Sequence, residues 1–248
     1  LSDPAMARQL RYNYLFLKFA GLSLEASAPD ETRLVVFRRR LSEAGMDEWA
    51  FSYFGKECEK RGLFVKEGTL IDATVVEGAV APGAERRDGT PQDPDARWGK
   101  KSTKRDAVFG YKAQVAVDEG SHLIREVGVT AANVHDSQAF EGVCPQETKR
   151  VYADKAYDSE ERRKRLKGKG MVACILFKAR RGAKLGGAQI RLNRIWGKRR
   201  GKVEAAFCSM KRWCGMARIR YLGMRGARLQ VYMAALAHNL KRVVKLTT

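Results

Sequence analysis

A chain of 248 residues can bury one good core, or one core with a small appendage. No apolar run approaches the roughly 18 residues that suggest a membrane span, and the first residues lack the pattern of a signal peptide. The five cysteines are widely spaced without a CxxC pair, and there are only three histidines. These features argue against a membrane protein and against a zinc site, and they indicate reduced thiols in a cytoplasmic protein.

The positive charge is concentrated at one end of the chain. The formal net charge is +20, and residues 161–248 carry 25 Lys and Arg against 2 acidic residues, a net of +23. Residues 1–70 and 71–160 carry net charges of +1 and −4. Solubility needs far less charge and would not segregate it. The distribution therefore predicts a polyanionic partner, most simply nucleic acid.

In chain order, the first elements are helical. Residues 5–66 place apolar side chains at mixed helical spacings, which predicts a small N-terminal helical domain over residues 1–66. The absence of an initiator Met indicates that this domain is truncated. "GTLIDATVVEG" is rich in β-branched residues with apolar groups on both faces and predicts a central strand. Residues 78–108, rich in Pro, Gly and charge, predict a long mobile loop.

The remainder, within a second domain over residues 67–248, alternates strands and helices. "FGYKAQVAVDEGSHLIREVGVT" predicts a β-hairpin that turns at Asp118 to Ser121. "NVHDSQAFEGV" predicts a short helix capped by Asp136 or Ser137, and "VYAD" a short strand. "DSEERRKRLKGKG" predicts a helix with Asp158 as its N-cap, followed by a buried strand in "MVACILF".

The C-terminal part begins with a predicted basic loop over residues 178–199. Helices are then predicted over about residues 202–213 and 225–244. The basic residues of the loop are expected to bind the nucleic-acid backbone without regard to sequence; they are Arg180, Arg181, Arg191, Arg194, Lys198 and Arg199.

Three carboxylates lack an evident structural role. Asp72 lies within the doubly apolar strand, where a charge is costly unless it is paired or bound to metal; the alternative is an edge Asp that accepts backbone hydrogen bonds. Asp154 ends the strand "VYAD", and functional side chains gather at the carboxyl ends of strands in α/β sheets. Glu204 is the only acidic residue between Arg162 and the last residue.

Glu204 borders the apolar stripe of its predicted helix, on a face shared with Arg200 and Lys211. An ion pair with Arg200 at i, i+4 is the alternative, although it would be worth only a few tenths of a kcal/mol. Carboxylates without a thiolate or histidine cluster suit a hard cation such as Mg²⁺ or Mn²⁺. Beside a basic surface, they predict phosphodiester chemistry assisted by two metal ions.

Several blocks resemble one family of proteins. "LIDATVVE", "DPDARWGKKSTK", "FGYKAQVAVDEGSHLIREVGVTAANVHDS", "VYADKAYDS" and "RGKVEAAFCSMKR" are similar to bacterial insertion-sequence transposases of the DDE class, nearest to the group named after insertion sequence five. The resemblance implies a ribonuclease-H-like α/β fold, with a mixed five-stranded sheet flanked by helices. It also implies that Asp72, Asp154 and Glu204 are the catalytic metal ligands.

The resemblance further implies a DNA transposase that nicks element ends and joins the freed 3′-hydroxyl to target DNA. Asp72 would bridge two Mg²⁺ ions, and Asp154 and Glu204 would each complete one. Its partners would be the terminal inverted repeats and target DNA, bound by a homodimer in a synaptic complex within the bacterial nucleoid. Arg200 and Lys211 match residues thought to touch DNA ends. Gly197 replaces a family Tyr, and the neighbouring Trp196 is a candidate to stack on a base instead.

Four further residues are candidate DNA contacts because of their positions in the predicted elements. Lys155 and Tyr157 directly follow the second acid, and Lys112 and His135 lie near predicted strand ends. Surface, capping or core roles are the alternatives for all four. His238 and Asn239, on an apolar helix, are expected to be structural.

Three other functions stay open at the level of sequence. A DNA-binding relic without catalysis would need no metal at Asp72 and Asp154. A nuclease acting on RNA–DNA hybrids could use the same fold. A basic RNA-binding protein would need none of the three acids.

Overall fold

The computed structural model of the protein describes residues 2–25, 27–100, 107–179 and 182–248. The chain forms two compact units, Leu1–Trp49 and Ala50–Thr248. The division falls earlier in the chain than the boundary expected after residue 66. None of the described helices combines the length and the apolar character that crossing a membrane requires.

The first unit is helical. It contains α1 (Asp3–Tyr12), α2 (Tyr14–Phe19) and α3 (Glu31–Glu43), and α4 (Met46–Lys60) begins at its end. The first three helices begin at polar residues whose side-chain oxygens accept a backbone N–H, which satisfies a donor that would otherwise lack a partner. These caps are Ser2, Asn13 and Asp30.

The second unit is built on a mixed sheet. Its described strands are β1 (Thr69–Glu77), β2 (Arg97–Gly99), β3 (Val108–Asp118), β4 (Ile124–Ala131), β5 (Arg150–Ala153) and β6 (Val172–Ile175). β1 is central: it pairs antiparallel with β3 and parallel with β5. β4 pairs antiparallel with β3, and β6 pairs parallel with β5. The long strands therefore follow the order β4-β3-β1-β5-β6, and the expected ribonuclease-H-like α/β fold is confirmed.

Helices cover both faces of the sheet. They are α5 (Asp136–Val143), α6 (Glu160–Gly168), α7 (Gly187–Arg200), α8 (Val203–Trp213) and α9 (Gly223–Thr247). One core lies between the sheet and α8 and α9, and the alternate residues Tyr111, Ala113, Val115 and Val117 of β3 pack there. A second core joins the other face to α5 and α6. Two buried faces explain why β1 carries apolar residues on both sides, whereas the second face of β3 carries buried polar residues such as Lys112 and Gln114.

One expectation for the connections was wrong. The segment predicted as a basic loop over residues 178–199 is largely the helix α7. Its cationic side chains do not oppose helix formation, and Asn193 anchors the helix through hydrogen bonds with the backbone of Phe177, at 2.8 and 3.1 Å. The expected mobile loop over residues 78–108 contains the strand β2, while its residues 101–106 lie outside the described part, as do Arg180 and Arg181.

The helix caps also differ from expectation. Ser159, not Asp158, caps α6; Asp158 instead accepts from Arg163 at 2.8 Å and from the backbone N–H of Lys178 at 3.0 Å. His135 caps α5 in place of Asp136 or Ser137. Asp158 is engaged in tertiary contacts with Arg163 and Lys178 and leaves the cap to Ser159. For α5, the side chain of the neighbouring His135 provides the acceptor.

Candidate active site

Two of the three predicted acids lie side by side in the sheet. β1 and β5 are parallel, with Ile71 opposite Ala153. The next residue along the chain is Asp72 on β1 and Asp154 immediately after β5, and the register continues because the backbone of Asp154 remains extended. Neighbouring strands are roughly 4.8 Å apart. Two carboxylates distant in sequence are thus brought together at the carboxyl end of β5.

Both carboxylates are on the face of the sheet that α8 covers. Side chains alternate between faces along a strand. Leu70 and Tyr152, two residues before the two acids, belong to the core beneath α8 and α9. Ile71 and Ala153 belong to the opposite core. Asp72 and Asp154 therefore point toward the C-terminal helices, where the basic residues are concentrated.

Asp72 already has a cationic partner. Arg200, the last residue of α7, places its Nη1 2.8 Å from Asp72 Oδ2, and the two side chains are only 19% and 17% exposed. The Nε of Arg200 is buried without a hydrogen-bond partner among the described residues. The pair shows that this position of the sheet attracts a positive charge, which compensates the cost of an acid in a doubly buried strand.

Asp154 is the less engaged of the two. It follows β5 and precedes a 3-10 turn (Lys155–Tyr157), for which its side chain makes no capping hydrogen bond. It is partly buried, and its carboxylate has no hydrogen bond or ion pair with any of the described residues. Lys155 beside it is exposed. Asp154 is thus available as a ligand at the end of β5, with the solvent-accessible ammonium group of Lys155 next to it.

Glu204 lies in the first turn of α8 and is exposed. α8 packs on the sheet through buried Val203 and Met210, and Lys211 donates to the backbone oxygen of Val75 on β1 at 3.0 Å. Glu204 and Lys211 share a stripe at i, i+7. A turn at Gly201 and Lys202 separates α8 from α7, so Arg200 pairs with Asp72 and not with Glu204.

The structure brings the acids together only in part. Within residues 2–25, 27–100, 107–179 and 182–248, no three His, Cys, Asp or Glu side chains are grouped as a site for a metal ion. Asp72 and Asp154 are neighbours by strand register, whereas Glu204 belongs to the helix above them. The assignment of all three as catalytic metal ligands stays a prediction.

A fourth acid, Asp136, was interpreted from the sequence only as a helix cap. Its charge acts on the same tyrosine as the charges of Asp72 and Asp154. Burial raises the pKa of Tyr157 far above its ordinary value, and Asp136, Asp72 and Asp154 raise it further. The Tyr157 hydroxyl is therefore neutral, and it has no hydrogen-bond partner among the described residues. Asp136 is paired with Lys112 at 2.7 Å. Nothing in the sequence distinguished Asp136 from a helix cap, because its ion pair with Lys112 forms only in the folded chain.

The expected DNA contacts divide into exposed and inward residues. Lys155 and His135 are exposed. Tyr157 and Lys112 are only 1% and 8% exposed, so neither presents a surface to DNA in this structure. The position of Lys112 is fixed by Asp136 and by a 2.7 Å hydrogen bond to the oxygen of Val134.

Trp196 and Lys211 are only partly accessible. The Trp196 ring packs against Phe177 with centroids 5.5 Å apart and 31° between the planes, and it borders the main core. Lys211 is tied to β1 as described above. Four of the five basic residues of α7, namely Arg191, Arg194, Lys198 and Arg199, were predicted on a loop and belong to a helical surface instead.

A mixed sheet with the strand order β4-β3-β1-β5-β6 and helices on both faces defines a domain of the ribonuclease-H-like class. The family model described as "Transposase DDE domain" matches residues 63–240. A second model, "Transposase domain (DUF772)", matches residues 1–40. No solved structure matches the chain.

The chain therefore belongs to the family of DDE transposases. Membership implies DNA as the substrate and explains the basic C-terminal half. The recognition of a transposase from short sequence blocks is confirmed at the level of the family. The narrower placement in the group of insertion sequence five stays a prediction.

Proposed function

We propose that this transposase cleaves and joins phosphodiester bonds at the ends of an insertion element, with Asp72, Asp154 and Glu204 as the ligands of divalent ions. The observation that carries the proposal is the register that places Asp72 beside Asp154, facing α8. Asp72 is paired with Arg200 at 2.8 Å, whereas Asp154 has no hydrogen bond or ion pair with the described residues. Glu204, at the start of α8, is the nearest acid supplied by the helix that covers β1.

The residues present fit a hard cation. The donors are carboxylate oxygens, which Mg²⁺ and Mn²⁺ prefer. Asp72 accepts positive charge in the structure, since Arg200 is bound to it. When bound, such ions supply Lewis-acid stabilisation of the attacking and leaving oxygens of a phosphodiester displacement.

The surrounding residues have distinct roles in the proposal. Arg200 neutralises Asp72 in the structure; if a metal ion took its place at the carboxylate, the guanidinium would be able to contact a DNA phosphate. Lys211 fixes α8 to β1 through the Val75 oxygen and so holds Glu204 above the strand. Lys155, exposed beside Asp154, is placed to hold a phosphate near the carboxylates. The homodimer and the synaptic complex belong to the same proposal.

The first test is metal dependence. With DNA carrying the element's own ends, the purified protein is expected to nick one strand at each end in Mg²⁺ or Mn²⁺, and chelation with EDTA is expected to abolish nicking because the carboxylates alone cannot stabilise the leaving oxygen. Gel analysis of end-labelled DNA measures both. Binding without cleavage in either metal would identify a DNA-binding relic, and preferential cleavage of an RNA–DNA hybrid would identify a nuclease of the same fold.

The ion pair at Asp72 makes a second prediction. Arg200→Gln removes the cation that competes for the carboxylate, so Mn²⁺ is expected to bind about tenfold more tightly, a difference of about 1.4 kcal/mol. Isothermal titration with Mn²⁺ in the absence of DNA measures the change. The matched control is Arg199→Gln, because Arg199 is adjacent but contacts Glu119 and Tyr152 instead. Equal Mn²⁺ affinity in both variants would show that Asp72 does not bind the metal.

A further inference from the structure

A cationic cleft, distinct from the proposed metal ligands, lies along α8. It has a volume of about 540 Å³ and is bounded by α8, α9 and the turn between β3 and β4. On α8 it is lined by Ala205, Ser209 and Arg212, which form the stripe next to that of Glu204 and Lys211. A polymer that reaches Glu204 can thus continue across α8 into this cleft.

The charges along the cleft have one sign. Its cations are Arg212 on α8 and Lys241, Arg242 and Lys245 on α9, and none of the described residues along its walls is acidic. Lys241 and Lys245 are one helical turn apart and face the same side. Four cations converging without a compensating carboxylate are costly in a free protein, and a polyanion removes that cost.

Two of these cations lie against the exposed indole ring of Trp213. Trp213 is 64% exposed, and both the guanidinium of Arg212 and the ammonium of Lys241 lie 5.0 Å from its ring centroid. Cation–π attraction holds them over the ring while their remaining N–H groups stay free to bind. A large exposed aromatic side chain between cations is typical of a surface that contacts nucleic acid.

The walls of the cleft are fixed by hydrogen bonds between α9 and the β3–β4 turn. Arg242 donates to the oxygen of Ser121 at 2.7 Å, and His238 Nε2 lies 3.2 Å from the oxygen of His122. Asn239 bonds both the N–H and the oxygen of Ile124 at 2.8 Å. The expected structural role of His238 and Asn239 is therefore visible here. A rigid, preformed cleft loses little entropy when a ligand binds.

The pKa values of the two histidines at the cleft, His122 and His238, reflect its electrostatic environment. Burial lowers the pKa of His122, and Arg242 and Lys202 lower it further. Burial also lowers the pKa of His238, with a smaller contribution from Arg242. Both imidazoles are consequently neutral at pH 7. Asp118 and Glu119 raise the pKa of His122 and partly oppose Arg242 and Lys202, but neither acid lines the cleft.

We propose that this cleft binds the phosphate backbone of the DNA that flanks the cleaved bond, independently of its sequence, through Arg212, Lys241 and Lys245. The site presupposes the proposed function only in taking DNA as the polyanion. It is separate from Asp72, Asp154 and Glu204, so it needs no metal ion. It extends the DNA-binding surface across α8 from the site of the chemistry.

Cys208 offers a direct reporter of occupancy. It is the exposed one of the five free cysteines and lines the cleft, whereas burial raises the pKa of Cys58, Cys144, Cys174 and Cys214 and slows their reaction. In EDTA, a saturating 30-base-pair duplex of arbitrary sequence is expected to slow maleimide labelling of Cys208 by at least about tenfold. Mass spectrometry locates the label, and a gel shift verifies that DNA is bound.

The control for labelling is a cysteine on the opposite face of the sheet. Lys167 is exposed on α6, and a Lys167→Cys variant is expected to react at the same rate with and without DNA. Unchanged labelling of Cys208 while DNA is bound would overturn the proposal, as would equal protection of both cysteines. Protection by duplex RNA or by phosphatidylserine vesicles but not by DNA would likewise exclude DNA as the occupant.

Salt dependence gives an independent measure. The double variant Lys241→Gln/Lys245→Gln is expected to reduce the slope of log affinity against log salt by about 1.8, because each lost phosphate contact removes about 0.9. The matched control, Lys164→Gln/Lys167→Gln on α6, is expected to leave the slope unchanged. An equal slope in both variants would contradict the proposal. Since these measurements need no metal, they succeed or fail independently of cleavage at Asp72.

Discussion

Replacing Asp72 with Asn is expected to lower metal-dependent DNA cleavage by at least about a thousandfold, which corresponds to about 4 kcal/mol of activation free energy. The neutral amide keeps the shape of the side chain but removes the charge that a divalent ion requires. Because Asp72 is the acid at the centre of the sheet, next to Asp154 and below α8, its loss affects every ion proposed for the site. The rate of nicking under single-turnover conditions measures the effect.

Asp72→Asn is also expected to reduce stability. Arg200 is 19% exposed in its side chain and bonds Asp72 at 2.8 Å, so the variant leaves a partly buried guanidinium without its carboxylate. A loss of about 1–3 kcal/mol in the free energy of unfolding is expected, measured by urea denaturation. Cleavage is therefore compared at a temperature at which circular dichroism shows both proteins folded.

The matched control is Asp88→Asn, which removes the same charge from an exposed turn. It is expected to leave both cleavage and stability close to those of the unmodified protein. If Asp72→Asn loses stability but cleaves DNA at the original rate, Asp72 serves only to bind Arg200 and the proposed ligand set is wrong. DNA affinity in EDTA, which does not involve the metal, is expected to be retained.

Glu204→Gln is expected to have a similar effect on cleavage without the effect on stability. Glu204 is exposed in the first turn of α8 and has no hydrogen bond or ion pair with the described residues, so its replacement breaks no such contact and changes only an interaction with the helix dipole worth less than about 1 kcal/mol. Its only proposed role is as a metal ligand. A loss of cleavage by at least about a thousandfold with unchanged unfolding and unchanged DNA binding in EDTA is the expected combination.

Glu161→Gln is a close control for this substitution. Glu161 also lies exposed in the first turn of a helix, α6, on the other face of the sheet. Both variants remove one negative charge next to a helix N-terminus and thus change the helix dipole interaction equally. Full cleavage by Glu204→Gln, or an equal loss in both variants, would show that Glu204 is not a ligand.

The three acids could be selected from the sequence because each breaks a local rule. An Asp in a strand that is apolar on both faces, an Asp after a strand end and a single Glu in a basic segment all lack a local explanation. Such inconsistencies between local preference and sequence are typical of functional positions. What the sequence could not show was the partner of Asp72, since Arg200 is 128 residues away and was read as a neighbour of Glu204.

The DNA contacts were harder to predict because burial depends on tertiary packing. Lys112 and Tyr157 are polar residues near strand ends, and nothing local distinguishes them from Lys155, which is exposed. In the folded protein Lys112 is buried in an ion pair with Asp136. The ring of Tyr157 packs against that of Phe140, with the ring centroids 5.5 Å apart. The cationic cleft was missed for the same reason, because α8, α9 and the β3–β4 turn meet only in three dimensions.

The sequence by itself determined the periodic features of this protein. Alternating apolar residues defined β3, two apolar faces made β1 central, and the segregation of charge identified a polyanionic partner, because these properties depend on neighbours along the chain. The tertiary structure alone decided the pairing of Asp72 with Arg200, the helix α7 and the convergence of cations around Trp213. These depend on which distant segments the two cores bring together, since burial and charge compensation are properties of the packed chain.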